Sequence, residues 1–352
     1  MALFCSFFPA FTFYAGSLNN DILSSFLTLL SIYFFFVHLR EDKKRYVILS
    51  ALFLGLSGLV KISAIPFYVG SCLFYISAVL MRQTHFKKAL KNISLFSAVC
   101  LPILFLYPVY NFIRWDGFSI FSTHVWWSMG SWSEVLSVWF SKYHPFLYLA
   151  DVSVDKYQYV GTYSLLDRLG PVFVPITRPF LFVGNGRPDM IPEYNIWAGL
   201  LKTALFDEWH LFFTGFGNGY AMEGATVMQT IGFDLSMILF VLGWILFFFF
   251  LVAFFKVSRK EPIILYCQSV TVAVMAGFVY WCLKNPASSA VSFRYIAFLF
   301  PILSLFVVKY VQENLSRPTK GNERIKNFLG LTVFLFSWTA LIIYTLYGAT
   351  SI

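Results

Sequence analysis

The amino-acid sequence predicts an all-α polytopic transmembrane protein with about nine membrane helices and one outer-side subdomain. Hydrophobic residues make up 59% of the 352 residues and charged residues only 12%, whereas soluble domains carry about a quarter charged residues. The apolar residues form continuous runs of helix length and lack the alternation of a β-barrel. The 43 phenylalanines suit helices that contact lipid.

Nine hydrophobic segments follow one another along the chain. We place them at residues 2–18, 22–39, 46–60, 62–81, 93–110, 232–255, 263–283, 294–310 and 328–348. They predict N-terminal transmembrane helices in 1–110, an extracytoplasmic loop with an amphipathic surface helix in 111–231, and C-terminal transmembrane helices in 232–352. All five cysteines fall within apolar segments without metal-ligand spacing, which indicates packing residues.

Basic clusters set the orientation through the positive-inside rule. They follow the second, fourth, sixth and eighth segments and consist of Arg40, Lys43, Lys44 and Arg45; Arg82, Lys87, Lys88 and Lys91; Lys256, Arg259 and Lys260; and Lys309, Arg317, Lys320, Arg324 and Lys326. If every segment crosses, all four clusters lie on the cytoplasmic side. The net charge of +9 then belongs beside anionic lipid headgroups and requires no nucleic acid.

A polar junction separates the first two segments, in the stretch Gly16-Ser17-Leu18-Asn19-Asn20-Asp21. Polar groups between apolar runs cost free energy unless they face water, a partner or a substrate, which favours a functional site. Asp and Asn also begin helices simply because they cap the first amides. For Asp21 alone the two interpretations have equal weight.

The predicted outer-side stretch 111–231 contains one amphipathic helix, at 195–209, which is expected to lie along the membrane surface. It ends in Asp207-Glu208-Trp209-His210, whose two carboxylates and imidazole suit a divalent cation. Adjacent helical residues point in different directions, so all three cannot converge without a bend, and a solvated helix end is the commoner explanation. Among these residues Glu208 is the favoured functional candidate.

Several cations fall on the predicted outer side, against the positive-inside bias. Lys61 ends the third segment, Arg114 follows the fifth, and Arg294 with Tyr295 opens the eighth. Interfacial snorkelling explains any one of them. Together they suit an anionic lipid-linked substrate such as a polyprenyl phosphate, because the arginine fork donates two parallel hydrogen bonds to phosphate.

In this order the motifs resemble the GT-C superfamily of polytopic glycosyltransferases, in the branch of dolichyl-phosphate-mannose protein mannosyltransferases and bacterial lipid-A aminoarabinose transferases. The matching pieces are Phe8-Pro9, Gly16–Asp21, Gly55–Ala64, Asn111, Arg114, Asn195–Trp197, Lys202–Glu208 and Phe293–Ile296. Each motif is short, and the specificity comes from the ordered series, which spans most of the chain.

The resemblance implies a sugar donor carried on polyprenyl phosphate and a glycan, lipid or protein acceptor on the outer side. It implies that Asp21 helps hold the donor phosphate or a divalent cation, and that Lys61 and Arg294 contact the lipid phosphate. Glu208 would lie near the acceptor. Further substrate-binding positions implied by the matched motifs are Asn19, Asn20, Arg114, Lys202 and Tyr295.

The chain departs from the family pattern at its start. Family members carry their catalytic aspartate in a first outer loop, and this chain begins downstream of that position. We therefore expect an N-terminal portion to be missing, whether in a fragment or in an inactive remnant, and expect the isolated chain to transfer sugar slowly or not at all. The bacterial cell membrane is the expected location, with the endoplasmic reticulum membrane as the alternative.

Two other membrane functions are consistent with the pattern. A transporter or flippase of a lipid-linked substrate would show repeated halves and broken helices, and an O-antigen ligase or polymerase would also combine many helices with one large outer loop. No repeat is evident, and polar residues gather at the outer surface, which favours chemistry on a lipid headgroup. A purely structural role would not explain the outer-side cations.

Overall fold

The computed structural model describes residues 20–61, 64–115, 200–201, 204–205, 227–284, 293, 296–316 and 319–350. Within these residues the chain forms eight long α-helices and no strand. The helices are α1 (Asn20–Glu41), α2 (Lys44–Val60), α3 (Ile65–Leu80), α4 (Phe86–Trp115), α5 (Val227–Lys256), α6 (Pro262–Lys284), α7 (Leu299–Asn314) and α8 (Lys320–Thr350).

These helices match the second to ninth predicted segments one to one, and the first segment, 2–18, lies outside the described residues. Five of them are long and apolar enough to cross a bilayer, at Ile22–Glu41, Phe86–Tyr110, Ile238–Lys256, Pro262–Trp281 and Lys320–Ile343. The all-helical class is confirmed, and the protein is an integral membrane protein. The number of nine crossings stays a prediction.

The helix ends differ most from the predicted segments where polar residues extend a helix beyond its apolar run. Helix α4 begins at Phe86, seven residues before the predicted start, and α8 begins at Lys320, eight residues early. Lysine and glutamate are good helix formers, so the helix continues through them into the polar zone. Hydropathy marks the membrane-embedded part of a helix and misses this extension.

Helices α3 and α6 cross in close antiparallel contact. A Cβ atom added to Gly70 of α3 would lie 2.6 Å from the Cα of Val270 in α6, and one added to Gly277 would lie 2.5 Å from Cγ of Pro66. Thus Pro66 faces Gly277 and Gly70 faces Val270, which shows that the two helices are antiparallel. Small residues are what allow membrane helices to approach this closely.

An aromatic cluster fills the space where α1, α3, α4 and α6 meet. The rings of Phe35 and Tyr266 stack with centroids 4.0 Å apart, and both side chains are fully buried. Phe74 and Phe96 meet the Phe35 ring edge-on. A second set of phenylalanine contacts joins α5 to α7 and α8, through Phe250–Phe300, Phe254–Phe306 and Phe249–Phe328.

Short connections carrying the predicted basic clusters gather at one end of the helices, which we call the loop end. Here Lys88 Nζ lies 2.5 Å from Asp42 Oδ2, joining the start of α4 to the α1–α2 connection. Lys309 Nζ lies 2.5 Å from Glu261 Oε1, joining α7 to the α5–α6 connection. The described residues of the four basic clusters therefore share one end of the bundle, as the sequence predicted. We call the other the opposite end.

Candidate functional site

A ladder of hydroxyl groups joins α1 to α2. The Oγ atom of Ser57 lies 2.9 Å from Ser24 Oγ and 2.8 Å from Thr28 Oγ1, and it donates to the carbonyl oxygen of Ser24 at 2.9 Å. Because the Ser57 hydroxyl donates to that carbonyl, the Thr28 hydroxyl donates to Ser57 Oγ. The Ser24 hydroxyl has two acceptors within reach, Ser57 Oγ at 2.9 Å and the carbonyl oxygen of Ser57 at 3.5 Å. Ser31 and Ser50 exchange hydroxyl-to-carbonyl bonds farther along. These buried bonds fix the register of α1 on α2.

This register brings Asp21 and Lys61 to the opposite end. Asp21 is one helical turn before Ser24, and Lys61 is one turn after Ser57, so both lie about 5 Å beyond the Ser24–Ser57 bond along the helix axes. The backbone amide of Lys61 donates to the carbonyl of Ser57 at 2.8 Å and closes the last turn of α2. The two residues therefore lie at the same level of the membrane.

Helix α1 begins at Asn20, which places Asn20 and Asp21 in its first turn. A carboxylate there is stabilised by the positive end of the helix macrodipole. Both interpretations of Asp21, a helix start and a functional site, stay predictions, and any role in chemistry depends on what else lies at this end.

Arg114 lies at the opposite end too, but farther out than Lys61. Helices α2 and α4 run parallel, since Gly55 faces Ile103 and Gly58 faces Leu104. In straight helices Arg114 lies about 15 Å beyond Leu104, whereas Lys61 lies only about 5 Å beyond Gly58. Along straight helix axes Lys61 and Arg114 are therefore staggered by about 10 Å. Pro102 and Pro108 lie inside α4, and any bend at them changes this figure.

The described residues just before α7 lie at this same end. Phe298, just before α7, packs edge-on against Phe67 in the first turn of α3, with ring centroids 5.9 Å apart. The flanking Phe293 and Ile296 are buried. Arg294 and Tyr295 themselves lie outside the described residues, as do Asn19, Lys202, Asp207, Glu208 and His210.

The structure also shows a buried polar pair that the sequence analysis assigned no role. His38 on α1 is 4% exposed, and its Nε2 atom lies 3.4 Å from Nδ2 of Asn92 on α4. The signal in the sequence was an imidazole inside the phenylalanine-rich run of α1. This pair lies near the loop end and is therefore separate from the Asp21–Lys61 level. It joins α1 to α4, as polar side chains commonly join membrane helices.

Among the described residues no three His, Cys, Asp or Glu side chains come together as a metal site would require. The expected cation ligands at 207–210 are not among those residues, so a divalent cation at that position stays a prediction. Asp21, the other acidic candidate, is the one whose backbone position is known.

Comparisons of the chain with protein-family models, with curated proteins and with solved structures give no match. The resemblance to GT-C enzymes accordingly depends on the ordered motifs. The described residues include Asn20 and Asp21 of the second motif, most of Gly55–Ala64, Asn111 and Arg114, whereas Phe8-Pro9 lies outside them.

Proposed function

We propose that the protein transfers a sugar from a polyprenyl-phosphate donor to an acceptor on the extracytoplasmic side of the membrane. The observation that carries this proposal is the level shared by Asp21 and Lys61 at the end of the bundle remote from the basic loops. An acidic and a basic residue share that level, and the basic one is an exception to the general tendency to keep Lys and Arg on the cytoplasmic side. Their presence has a reason if an anionic headgroup binds there.

The reaction needs a base and a stabilised leaving group. In the proposed step an acceptor hydroxyl attacks the anomeric carbon, its proton passes to a carboxylate, and the bond from that carbon to the phosphate oxygen breaks. The polyprenyl phosphate leaves with the electron pair. Glu208 and Asp21 are the proposed catalytic carboxylates, and Lys61 and Arg294 offset the charge that develops on the phosphate. Arg114, farther out, is a substrate-binding candidate.

The outer half of α4 offers an apolar surface that an isoprenoid tail could contact. The outer half of α4 exposes a continuous set of large apolar side chains below Arg114, namely Phe105, Leu106, Tyr107, Val109, Tyr110, Phe112 and Ile113. Ile113, directly before Arg114, is 76% exposed. Bulk lipid can cover this surface, and it leads directly to the proposed phosphate-binding cations.

Binding of the donor lipid is tested first, with the full chain in nanodiscs. Undecaprenyl phosphate is the probe, and undecaprenol, which lacks the phosphate, is the matched control. We expect tighter binding of the phosphate, about tenfold weaker binding for Lys61→Ala since a charged hydrogen bond contributes about 1.5 kcal/mol, and recovery for Lys61→Arg. Equal affinity for the two lipids would remove the basis of the proposal.

Transfer is tested with donors labelled in the sugar, using a panel of polyprenyl-phosphate sugars and following release of the polyprenyl phosphate. Asp21→Asn is expected to abolish whatever release the wild-type chain gives. Asp42→Asn is the matched control, because Asp42 is an exposed aspartate at the loop end, paired with Lys88. If both variants release lipid phosphate at the wild-type rate, Asp21 has no part in the chemistry.

The same experiment distinguishes transport. A flippase would move the labelled donor between leaflets of a vesicle with its sugar still attached. The buried hydroxyls of α1 and α2 are occupied with one another, so they provide no polar path across the bundle. We therefore retain sugar transfer as the single proposed function.

A further inference from the structure

The connection between α3 and α4 adopts a turn that glycine normally occupies. The amide of Gln83 donates to the carbonyl of Ala78 at 2.8 Å, and that of Arg82 donates to Val79 at 2.9 Å. These two bonds define a Schellman motif, whose left-handed position is usually glycine. Here that position is Arg82, with φ at 57°. Arginine is disfavoured in this conformation, since its Cβ crowds the backbone.

This turn is fastened to the α5–α6 connection. Nε2 of Gln83 donates to the carbonyl oxygen of Arg259 at 2.8 Å and approaches that of Lys260 at 3.3 Å. The bond joins positions 176 residues apart. It joins the connection that carries Arg82 to the connection that carries Arg259 and Lys260. All three cations are exposed, and we call them the Arg82 cluster.

Two carboxylates associated with the α5–α6 connection, Glu261 and Glu313, have other partners. Glu261 pairs with Lys309, and Glu313 accepts a hydrogen bond from the backbone amide of Ser258 at 3.0 Å. In the described part of the chain, neither Arg82 nor Arg259 has a carboxylate within salt-bridge distance. The cluster therefore keeps its positive charge available to an external anion.

Large apolar side chains flank the cluster and point to the kind of anion. Leu80 at the end of α3 is 77% exposed, Met81 follows it, and Phe86 at the start of α4 is 65% exposed. A small soluble anion has no apolar part that could contact these side chains. A phospholipid has both parts, with acyl chains for Leu80 and Phe86 and a phosphate for the cations.

We propose that the Arg82 cluster is a binding site for the headgroup of an anionic phospholipid at the cytoplasmic surface. Arg82 and Arg259 contact the phosphate, Lys260 adds charge, and Gln83 is a positioning residue that holds the two connections together. Basic pockets between membrane helices on this side are a recognised mode of anionic-lipid recognition. At this position arginine is less favourable than glycine for the backbone, but it provides the positive charge that the proposed site needs.

The test uses the full chain purified in detergent, with native mass spectrometry to count bound lipids. Phosphatidylglycerol is the probe, and phosphatidylcholine with the same acyl chains is the control. We expect Arg82→Gly to bind phosphatidylglycerol about fivefold more weakly, which corresponds to one cation at the membrane surface, with phosphatidylcholine binding unchanged. Gln83→Ala keeps every charge and is expected to weaken binding too, because the two connections separate.

Stability separates this proposal from a merely structural role for Arg82. Glycine suits the left-handed conformation, so Arg82→Gly should have a Tm equal to or above that of the wild type. Arg324→Gln removes an exposed cation from α8 at the same end and is expected to change phosphatidylglycerol affinity less than Arg82→Gln does. Wild-type affinity in Arg82→Gly, or equal losses in Arg324→Gln and Arg82→Gln, would overturn the proposed site. A lower Tm in Arg82→Gly would overturn the argument from strain.

Discussion

Removal of the Ser57 hydroxyl tests the α1–α2 register directly. In Ser57→Ala the hydroxyls of Ser24 and Thr28 lose their contact with the Ser57 hydroxyl, and the carbonyl of Ser24 loses a donor. The Ser24 hydroxyl keeps only the longer bond to the carbonyl of Ser57, at 3.5 Å. All three groups lie in the buried seam between the helices. Because the substitution removes only the hydroxyl group and leaves the side-chain volume nearly the same, the change in stability reports on the hydrogen bonds.

The expected size follows from the number of bonds. Interhelical hydrogen bonds in a membrane contribute about 0.6 kcal/mol each on average, so three of them amount to about 2 kcal/mol. This lies in the range for leaving buried groups unpaired, about 1–3 kcal/mol. We expect Ser57→Ala to lower the free energy of unfolding by about 2 kcal/mol.

Unfolding in mixed micelles of dodecylmaltoside and sodium dodecyl sulfate, followed by pulse proteolysis, provides the measurement. Ser269→Ala is the matched control, because this buried serine of α6 donates only to the carbonyl one turn earlier, at 2.9 Å. We expect that control to cost about 0.5 kcal/mol or less. If Ser57→Ala costs no more than Ser269→Ala, the ladder does not determine how α1 and α2 align, and the common level of Asp21 and Lys61 loses its support.

Two further predictions concern packing. Gly70→Ala places a methyl group 2.6 Å from the Val270 backbone and is expected to lower the free energy of unfolding by about 1–3 kcal/mol through overpacking. The control Gly330→Ala has nothing within 4 Å of the new Cβ and should be neutral or stabilising by up to about 1 kcal/mol. Equal effects of the two substitutions in the same unfolding assay would contradict the close α3–α6 crossing. Phe35→Ala is expected to lower the free energy of unfolding by about 3–5 kcal/mol because it leaves a cavity in the aromatic cluster. Tyr33→Ala, at a side chain that is 59% exposed, should lower it far less. A similar loss of stability for both variants would show that Phe35 is not central to that cluster.

The apolar runs were sufficient to predict the helices, because a bilayer requires each crossing to satisfy its own backbone hydrogen bonds. The basic clusters were sufficient to predict that four connections share one end. Helix ends were harder to predict from the sequence. The lysines of α4 lower the hydropathy while continuing the helix, so the predicted start at residue 93 was wrong by seven residues.

Pairing between helices could not be read from one sequence. Ser24 and Ser57 look like any other serines in an apolar run, and only the packed helices show that they face each other. The left-handed conformation of Arg82 was equally hidden, since the residue type argues against it. For the candidate site, the register of α1 and α2 supports a common level for Asp21 and Lys61, and the roles of Glu208 and Arg294 stay predictions.

The crossing of α3 with α6 has a consequence for biosynthesis. Gly70 and the Val270 backbone it contacts are about 200 residues apart, so at ordinary translation rates α3 waits roughly 10 to 40 s before its neighbour leaves the ribosome. During that interval the cleft around Gly70 must be occupied by lipid or by an insertase. A substitution that enlarges this position would therefore reduce the yield of assembled protein in cells more than its effect on the finished molecule suggests.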